Sequence, residues 1–141
     1  MIKGLGVDAV EIQRFIPWVH YPRTQLARIF SVAELDYCFT LSASIDTNHA
    51  VIAQRLALRF AAREAFFKAL SGFDPAHTVP FLTVCRHVAV QKHVSDAISL
   101  LVDWQALCQA GLSLAGDHVI IHLSATHTAV TAFVTVIIEG E

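Results

Sequence analysis

The strongest feature of the hydrophobic pattern is the run from about Ala50 to Leu70, which is rich in Ala and Leu and is closed by Gly72 and Pro75. This pattern predicts a long helix. The N-terminal segment IKGLGVDAV alternates weakly between apolar and other positions and is bounded by small residues. It predicts a short strand that leads into a helix, with Asp8 at the helix start.

Two further segments carry the capping signals of helix starts. In FSVAEL, Ser31 and Glu34 form a capping box and Phe30 and Leu35 are the apolar pair that staples it, which is typical of a purely structural helix start. In the segment WQALCQAG, Asp103 is placed as the N-cap of a second helix.

The remaining apolar segments favour strands. FLTVCRHVAV has strand character, whereas AISLLV is a short apolar run that pattern alone does not separate from a buried helix. HVIIHLS and TAVTAFVTVIIE are rich in β-branched residues and are separated by the turn-like ATH, so they predict an antiparallel hairpin. We therefore predict an α+β fold in which a small antiparallel sheet packs against the long helix.

Composition indicates one domain with unusually apolar character. The chain has 141 residues, so we predict a single domain over residues 1–141. Hydrophobic residues make up 55% of it and charged residues 16%, against about 25% charged in an ordinary domain. Because so small a monomer does not bury all its apolar surface, we expect part of it to close a subunit interface. The net charge of -2 argues against general nucleic-acid binding.

Location and thiol chemistry follow from the same composition. No stretch of about 18 uncharged apolar residues is present, so no membrane span is predicted. The N-terminus MIKGLGVDAV is too short, and too soon interrupted by Asp8, to be a secretory signal, so we expect the protein in the cytoplasm. The three cysteines, Cys38, Cys85 and Cys108, form no C-x-x-C motif and lie among apolar residues, as reduced core thiols do.

Two common kinds of active site lack support. The eight histidines raise the hypothesis of zinc binding, but none pairs with cysteine at zinc-ligand spacing. A serine hydrolase of the G-x-S-x-G type is not indicated either, because that motif is absent from the sequence.

Glu64 and Lys68 lie four residues apart in RFAAREAFFKAL and so share one face of the predicted helix. The ordinary interpretation is a surface ion pair worth ~0.2–0.5 kcal/mol. The sharper one is that Glu64 holds a metal and Lys68 a phosphate, which requires an acidic partner from elsewhere in the chain. A stripe of arginines beside this face is either solvated or turned toward an anionic ligand: Arg55, Arg59 and Arg63.

Asp8 is a candidate for the acidic partner, but it also has a simpler explanation. With Glu11 three residues later, and with Val7 and Ile12 placed to staple, Asp8 fits an ordinary helix N-cap. The residues alone leave both interpretations open.

Three stretches follow one another in the order of a known family's motifs: GLGVDAVEIQRF (4–15), RFAAREAFFKAL (59–70) and HLSATHTAVTAFVTVIIE (122–139). They resemble G-x-D-x-V-E-I-x-R, F-A-x-K-E-A-x-x-K-A and H-V-S-x-x-H-T of the holo-acyl-carrier-protein synthases, the small bacterial phosphopantetheinyl transferases. The ordered triplet covers about a third of the chain.

The resemblance implies transfer of 4'-phosphopantetheine from coenzyme A to a serine hydroxyl of an apo acyl carrier protein, with release of adenosine 3',5'-bisphosphate. It makes Asp8 and Glu64 the expected ligands of Mg²⁺, a cation that prefers oxygen ligands. It also brings Lys68 to the phosphates. The serine proton would pass to Glu64 or to a metal-held water.

The resemblance also implies two surfaces for partners. Arg14 matches the family arginine that meets the acidic carrier protein, and Arg28 is expected to extend that patch, although both could be ordinary surface arginines. The family assembles as a homotrimer with active sites between subunits, and we expect the same assembly for this chain.

The coenzyme A site is expected to draw on two further parts of the chain. His122 and Ser124 match the third motif, which lines the coenzyme A cleft between subunits in the family, although a satisfied strand histidine is equally ordinary. The anionic ligand facing the arginine stripe would then be coenzyme A, contacted by Arg59 and Arg63.

The sequence departs from the family pattern at several places. Arg63 stands where the family usually has lysine, which keeps the charge but changes the donor geometry. KALSGFDPAHT replaces a G-T-G-like turn after the long helix, and QKHVSD stands in place of a G-x-P turn. These departures bear on coenzyme A affinity and carrier choice and leave Asp8 and Glu64 in place. The alternative to the enzyme is a catalytically weak homologue that binds coenzyme A or a carrier without transfer, but the retained Asp8, Glu64 and Lys68 favour the enzyme. An unrelated oligomeric α+β binding module is a third hypothesis.

Overall fold

The computed structural model describes residues 1–40, 45–114 and 116–141. The strands in this part of the chain are β1 (Ile2–Glu11), β2 (Val88–Lys92), β3 (Ile98–Val102), β4 (Val119–His127) and β5 (Thr131–Gly140). The α-helices are α1 (Arg23–Leu26), α2 (Val32–Phe39), α3 (Ile45–Phe73), α4 (Phe81–Arg86) and α5 (Trp104–Ala110). Two short 3-10 helices, Ile12–Phe15 and Pro17–His20, link β1 to α1.

The strands form two antiparallel sheets. β1, β5 and β4 lie side by side in that order, so the N-terminal strand pairs with the C-terminal one and Asp8 lies opposite Val134. The second sheet is the β2–β3 hairpin, in which Val88 lies opposite Val102. Its turn contains Asp96, whose φ of 65° is one that Asp tolerates better than most residues.

The long helix α3 covers one face of the three-stranded sheet. Alternate residues of β1 and β5 are buried against it, which leaves their neighbours on the opposite, exposed face. The buried residues of these strands are Gly4, Gly6, Asp8, Val10, Ala132, Val134, Val136 and Ile138. The structure therefore confirms the predicted α+β fold, with a small antiparallel sheet packed on a long helix.

Several predicted elements are confirmed. Ser31 and Glu34 form the capping box of α2, Asp103 accepts a hydrogen bond from the Ala106 amide at the start of α5, and β4 pairs with β5 as an antiparallel hairpin. The hairpin turn, however, follows His127 rather than occupying ATH, because these three residues continue β4.

FLTVCRHVAV was expected to be a strand, and half of that prediction is wrong. Phe81–Arg86 forms α4, which begins after Pro80 as its N-cap, and only Val88–Lys92 is a strand. AISLLV, which the pattern left open, contains the strand β3.

Two of the three thiols lie in the core and are unreactive in character. Cys38 and Cys85 are buried, Cys108 is half-buried, and all three are free. Burial raises the pKa of the Cys38 and Cys85 thiols to about 11, so both stay protonated at neutral pH.

Within the described ranges, none of the helices has the length and apolar character required to cross a membrane.

Candidate active site

Asp8 lies in the middle of β1, on the face that packs against α3, with only 6% of its surface exposed. The expectation that it stands at a helix start, and the N-cap interpretation with it, is wrong. The strand continues to Glu11, and it is Glu11 that precedes the first 3-10 helix, without a side-chain capping bond. Because side chains alternate along β1, the Asp8 side chain faces the helix α3. Its carboxylate is therefore available to the site between strand and helix and does not cap a helix.

Two glycines allow β1 to lie directly on α3. A Cβ atom at Gly4 would overlap the carbonyl oxygen of Ala69, and one at Gly6 would overlap that of Ala65. Only glycine permits so close a backbone approach. The GLG sequence thus fits strand against helix and brings Asp8 to the helix face that carries Glu64 and Lys68.

Lys68 reaches across from α3 to β1. Its Nζ lies 2.9 Å from Asp8 Oδ1 and donates a second hydrogen bond of 3.0 Å to the Val7 carbonyl. Among the described residues, no ion pair joins Lys68 to Glu64, so the ordinary interpretation of this i,i+4 pair is not the one observed. The lysine instead ties the helix to the strand.

Glu64 shares its surroundings with Asp8. Burial is the largest cause that raises the pKa of Glu64, and the hydrogen-bonding and charge interactions with Asp8 raise it further, whereas the positive charges of Arg14 and Lys68 oppose the shift. A bound cation would offset the negative charge that a second carboxylate brings close to Glu64.

The carboxylate pair fits a magnesium ion. Asp8 Oδ2 is buried and has no hydrogen-bond partner in the described part of the chain, so one acceptor of the pair is open. No cluster of three or more His, Cys, Asp or Glu side chains able to hold a metal occurs among the described residues. Mg²⁺ does not need such a cluster, because it usually binds one or two carboxylates and completes its shell with phosphate oxygens and water.

An aromatic wall flanks the two charged helix residues. Glu64, Lys68, Phe67 and Phe81 line a shallow pocket of about 150 Å³. The Arg14 guanidinium lies 5.3 Å from the centre of the Phe60 ring, at cation–π distance. The site is therefore an acidic and basic cluster set in an apolar surface, a setting that strengthens its electrostatic interactions.

The model of the 4'-phosphopantetheinyl transferase superfamily matches residues 4–121 of the chain. The chain belongs to this superfamily. A holo-[acyl-carrier-protein] synthase of Treponema pallidum is 37% identical over 141 residues, which is 100% of this chain and 98% of the relative. One of Treponema denticola is 34% identical over 140 residues, with 99% and 100% covered.

Solved structures of the superfamily share the fold. The holo-(acyl-carrier-protein) synthase of Bacillus anthracis, a complex with CoA (3',5'-ADP), matches with a TM-score of 0.72 at 21% identity, covering 100% of this chain and 99% of that one. The acyl carrier protein synthase of Mycobacterium tuberculosis matches with a TM-score of 0.66 at 26% identity and full coverage of both chains.

The structure separates two arginines that were expected to contact coenzyme A together. Arg63 is completely buried and its guanidinium donates to Glu34 and to backbone carbonyls, so the expectation that it faces a ligand is corrected. A guanidinium whose donors are all held by interior acceptors has none left for a phosphate. The i,i+4 spacing identified the stripe but not the depth at which each member lies.

Arg59 is also buried, at 4% exposure, but its guanidinium is less completely held. Nη1 donates to the Arg55 carbonyl at 3.1 Å, and Nε has no partner among the described residues. Arg59 lines a pocket of about 410 Å³ together with Tyr37 and Lys92. The guanidinium groups of Arg55 and Arg59 lie 4.5 Å and 4.6 Å from the centre of the Tyr37 ring, and Lys92 Nζ donates to the Tyr37 hydroxyl at 3.1 Å. Three cations thus surround one tyrosine, which no sequence pattern indicated because Tyr37 and Lys92 belong to distant elements.

His122 and Ser124 do not join the cluster within one chain. Both lie on β4 with exposed side chains, on the sheet face that points away from α3, and His122 Nε2 lies 2.8 Å from Glu139 Oε2. Arg28 is exposed after α1, and the structure places no contact between it and the cluster.

The sequence predicted Glu34 only as a capping residue and not as the partner of a buried arginine. It is buried to 2% exposure and binds Arg63, the residue next to Glu64. The capping box explained its presence in the sequence completely, so no signal for a second role remained.

Proposed function

We propose that this superfamily member is a holo-[acyl-carrier-protein] synthase, which transfers 4'-phosphopantetheine from coenzyme A to a serine of an apo acyl carrier protein and releases adenosine 3',5'-bisphosphate. The observation that carries the proposal is the meeting of Asp8, Glu64 and Lys68 at the strand–helix contact. It occurs in a chain similar over its full length to synthases of two Treponema species.

Asp8 and Glu64 are the proposed ligands of Mg²⁺, on the strength of the open Asp8 oxygen and of the raised pKa of Glu64 beside Asp8. The cation would neutralise the negative charge that develops as the pyrophosphate linkage breaks. The Lys68 side chain is 54% exposed, so its ammonium group can touch both Asp8 and a phosphate bound in front of the helix.

The serine hydroxyl must lose its proton as it attacks. Glu64 is the chain's own candidate acceptor, because its raised pKa moves it toward the working pH of a general base. Arg14, beside it, keeps part of the site positive and favours the ionised carboxylate that accepts a proton.

The pocket around Tyr37 and Arg59 is the proposed contact for an anionic part of coenzyme A. Arg55, Arg59 and Lys92 bring three positive charges to one ring, of which Lys92 also pairs with Asp96 at 3.1 Å. A phosphate group would offset the positive charge that remains. Arg59→Met should therefore raise the KM for coenzyme A more than it lowers kcat.

His122 and Ser124 can reach coenzyme A only from a neighbouring subunit, because their side chains lie on the far side of the sheet from Asp8. The face they occupy also exposes apolar side chains that a partner subunit would cover, namely Leu5, Val7, Ile120 and Phe133. A homotrimer with shared sites accounts for both observations.

The carrier protein is proposed to dock beside Arg14, with Arg28 extending the basic surface. Arg14 stacks on Phe15 and Phe60, which places a positive charge over an aromatic surface near Glu64. Such a surface suits an acidic helix with an apolar side. A cytoplasmic location and the single domain over residues 1–141 stay predictions from the sequence.

The decisive experiment is mass spectrometry of an apo carrier protein after incubation with the purified chain, coenzyme A and Mg²⁺. We expect a phosphopantetheine adduct that disappears with a chelator and returns when Mg²⁺ is added back. Glu64→Gln should form little adduct, whereas Asp117→Asn, an exposed change just before β4, should behave as wild type.

No adduct on any of several metal-replete apo carriers would favour the alternative, a homologue that binds coenzyme A or a carrier without transfer. The superfamily match rules out the unrelated binding module. Calorimetry with coenzyme A and with the apo carrier would then show which of the two this homologue binds.

A further inference from the structure

Glu34 and Arg63 form a fully buried ion pair beneath the active-site helix. Arg63 Nη1 donates to Glu34 Oε2 at 2.9 Å and Nη2 donates to Glu34 Oε1 at 2.5 Å, so the two groups meet as a two-pronged fork. Exposure is 0% for Arg63 and 2% for Glu34. This is the geometry that guanidinium provides and ammonium does not.

The remaining donors of Arg63 hold the backbone of several elements. Nε donates to the carbonyls of Ile29 and Cys85 at 2.9 and 3.1 Å, and Nη2 donates to that of Val88 at 2.9 Å. Nη1 also donates to the carbonyl of Arg59, one turn earlier in α3, at 3.1 Å. One side chain thus fastens α3 to the segment before α2, to α4 and to β2.

Glu34 extends the same network. Besides Arg63, it accepts hydrogen bonds from the backbone amides of Ser31 and Val90, at 2.9 and 3.1 Å. Burial alone would raise the pKa of Glu34, but the hydrogen bonds and charge of Arg63, together with these amides, lower it, so the pair stays ionised. Each of the two side chains is therefore fixed by several elements at once.

The Glu34–Arg63 pair lies next to the candidate site, because Arg63 is the residue before Glu64. Arg63 precedes Glu64, and consecutive helix residues point about 100° apart. Arg63 therefore holds α3 from one side, while the close contact of Gly4 and Gly6 with the helix holds it from another. Glu64 lies between these two fixed contacts.

We propose that the Glu34–Arg63 pair is a positioning device that fixes the rotation and height of α3, and so sets where the Glu64 carboxylate stands relative to Asp8. The inference rests on the proposed function of Asp8 and Glu64 as a cation site. A buried ion pair contributes little net stability compared with apolar side chains of similar size. Functional groups, in contrast, must be held within about 0.5 Å, and networks behind them provide that precision.

Arg63→Lys is the first test, because it keeps the charge but offers three donors on one atom in place of the planar fork. We expect the variant to fold, to bind Mn²⁺ about tenfold more weakly and to lose kcat with an unchanged KM for the carrier. Mn²⁺ binding is measured by electron paramagnetic resonance without substrates, and folding by thermal melting. Arg23→Lys, at the exposed pair with Asp36, is the matched control and should change none of these.

The double variant Glu34→Gln/Arg63→Met removes both buried charges together and keeps a side chain that can complete the capping box. We expect its Mn²⁺ affinity to fall by about 100-fold while it remains folded. Folded variants that bind Mn²⁺ and turn over as wild type would overturn the inference and leave the pair a purely structural contact. Should the double variant not fold, Arg63→Lys alone decides by the same readouts.

Failure of the proposed function would look different. Wild-type protein that binds Mn²⁺ but modifies no carrier would refute the transferase activity and leave the positioning of the cation site to be judged by Mn²⁺ affinity. A wild type that binds no Mn²⁺ would overturn both.

Discussion

At the scale of single residues, the site is built from side chains whose immediate neighbours differ from those their spacing suggested. Glu64 and Lys68 are four apart on α3, yet Lys68 pairs with Asp8 of β1. The motif resemblance pointed to Asp8, Glu64 and Lys68, because a motif is matched by residue type and spacing and does not depend on knowing the fold. It did not identify which of them touch, because that depends on how close β1 approaches the helix.

Glu64→Gln separates the function of this carboxylate from its effect on stability. Because the pKa of Glu64 is raised by burial and by Asp8, its ionisation weakens the fold as the pH rises from the ordinary range of glutamate through the raised value. Glutamine removes that charge, so the metal-free variant should melt no lower than wild type at neutral pH. Transfer should nevertheless fall by at least ~10²-fold.

Thermal melts across the pH range and adduct formation by mass spectrometry check this prediction. A Glu64→Gln protein that keeps full transfer would remove Glu64 from the site. One that melts far below wild type at neutral pH would show that the carboxylate is needed for folding.

Asp8→Asn tests whether two carboxylates act as one unit. Each single change should cost at least ~10²-fold in turnover, because each removes a charged oxygen from the same proposed cation. The double variant with Glu64→Gln should lose much less than the product of the two losses, since residues acting together are non-additive. Multiplicative losses in steady-state kinetics would show that Asp8 and Glu64 act independently.

At the scale of elements, the contact between β1 and α3 is what makes the site. Gly6→Ala should destabilise the protein by about 1–3 kcal/mol or more, because the added methyl would meet the Ala65 carbonyl and push the strand off the helix. Turnover of whatever protein folds should also fall, as Asp8 moves with the strand.

Gly72→Ala provides the matched comparison. Its added methyl would meet the Gly4 Cα at 3.4 Å, which is ordinary contact, and alanine favours the helix by up to ~1 kcal/mol. Denaturant unfolding should therefore place Gly72→Ala at or above wild type and Gly6→Ala well below. Equal stability of the two variants would mean that β1 does not need its close approach.

The elements that could be predicted are those with local signals. The long α3, the capping box at Ser31 and the β4–β5 hairpin each carry their own periodicity or turn residues. Two wrong predictions, a helix start at Asp8 and a strand over Phe81–Arg86, concern short segments whose residues fit either a helix or a strand. Asp8 followed by Glu11 imitates a cap, yet the alternation of β1 runs through both, and Pro80 turns a strand-like run into α4. Pairing with β5 keeps Asp8 and Glu11 in a strand, and the N-cap Pro80 starts a helix at Phe81. Neither cause is visible within the short segment itself.

At the scale of the whole molecule, the proposed partner of the site is acidic, and Arg14 is the charge that would steer it. Arg14→Glu should slow carrier modification mainly through the encounter rate, and the loss should shrink as salt rises and screens the interaction. Stopped-flow association at several ionic strengths measures this. Arg86→Glu, an exposed change at the end of α4, should have little effect, and an Arg14→Glu rate equal to wild type at low salt would show an ordinary surface arginine.

Assembly decides whether His122 and Ser124 belong to the site at all. They lie on the sheet face opposite Asp8, beside exposed apolar residues such as Leu5 and Phe133. If the proposed trimer covers that face, the histidine of one subunit can contribute to the site of its neighbour. We expect light scattering at micromolar concentration to give a mass three times that of one chain, and Phe133→Glu to lower both the mass and the activity.

Mixing two damaged variants tests the sharing of sites directly. Glu64→Gln removes one half of each site, and His122→Ala removes the other half if it comes from the neighbouring subunit. When the two proteins are unfolded together in equal amounts and refolded, about a quarter of the sites in a random ring combine an intact Glu64 from one chain with an intact His122 from the next. The mixture should then regain up to about that share of the wild-type rate at low coenzyme A, whereas each variant refolded alone should not. A site contained within one chain would give the average of the two variants and no recovery, and that result would rule out the shared site even if the protein proved to be a trimer.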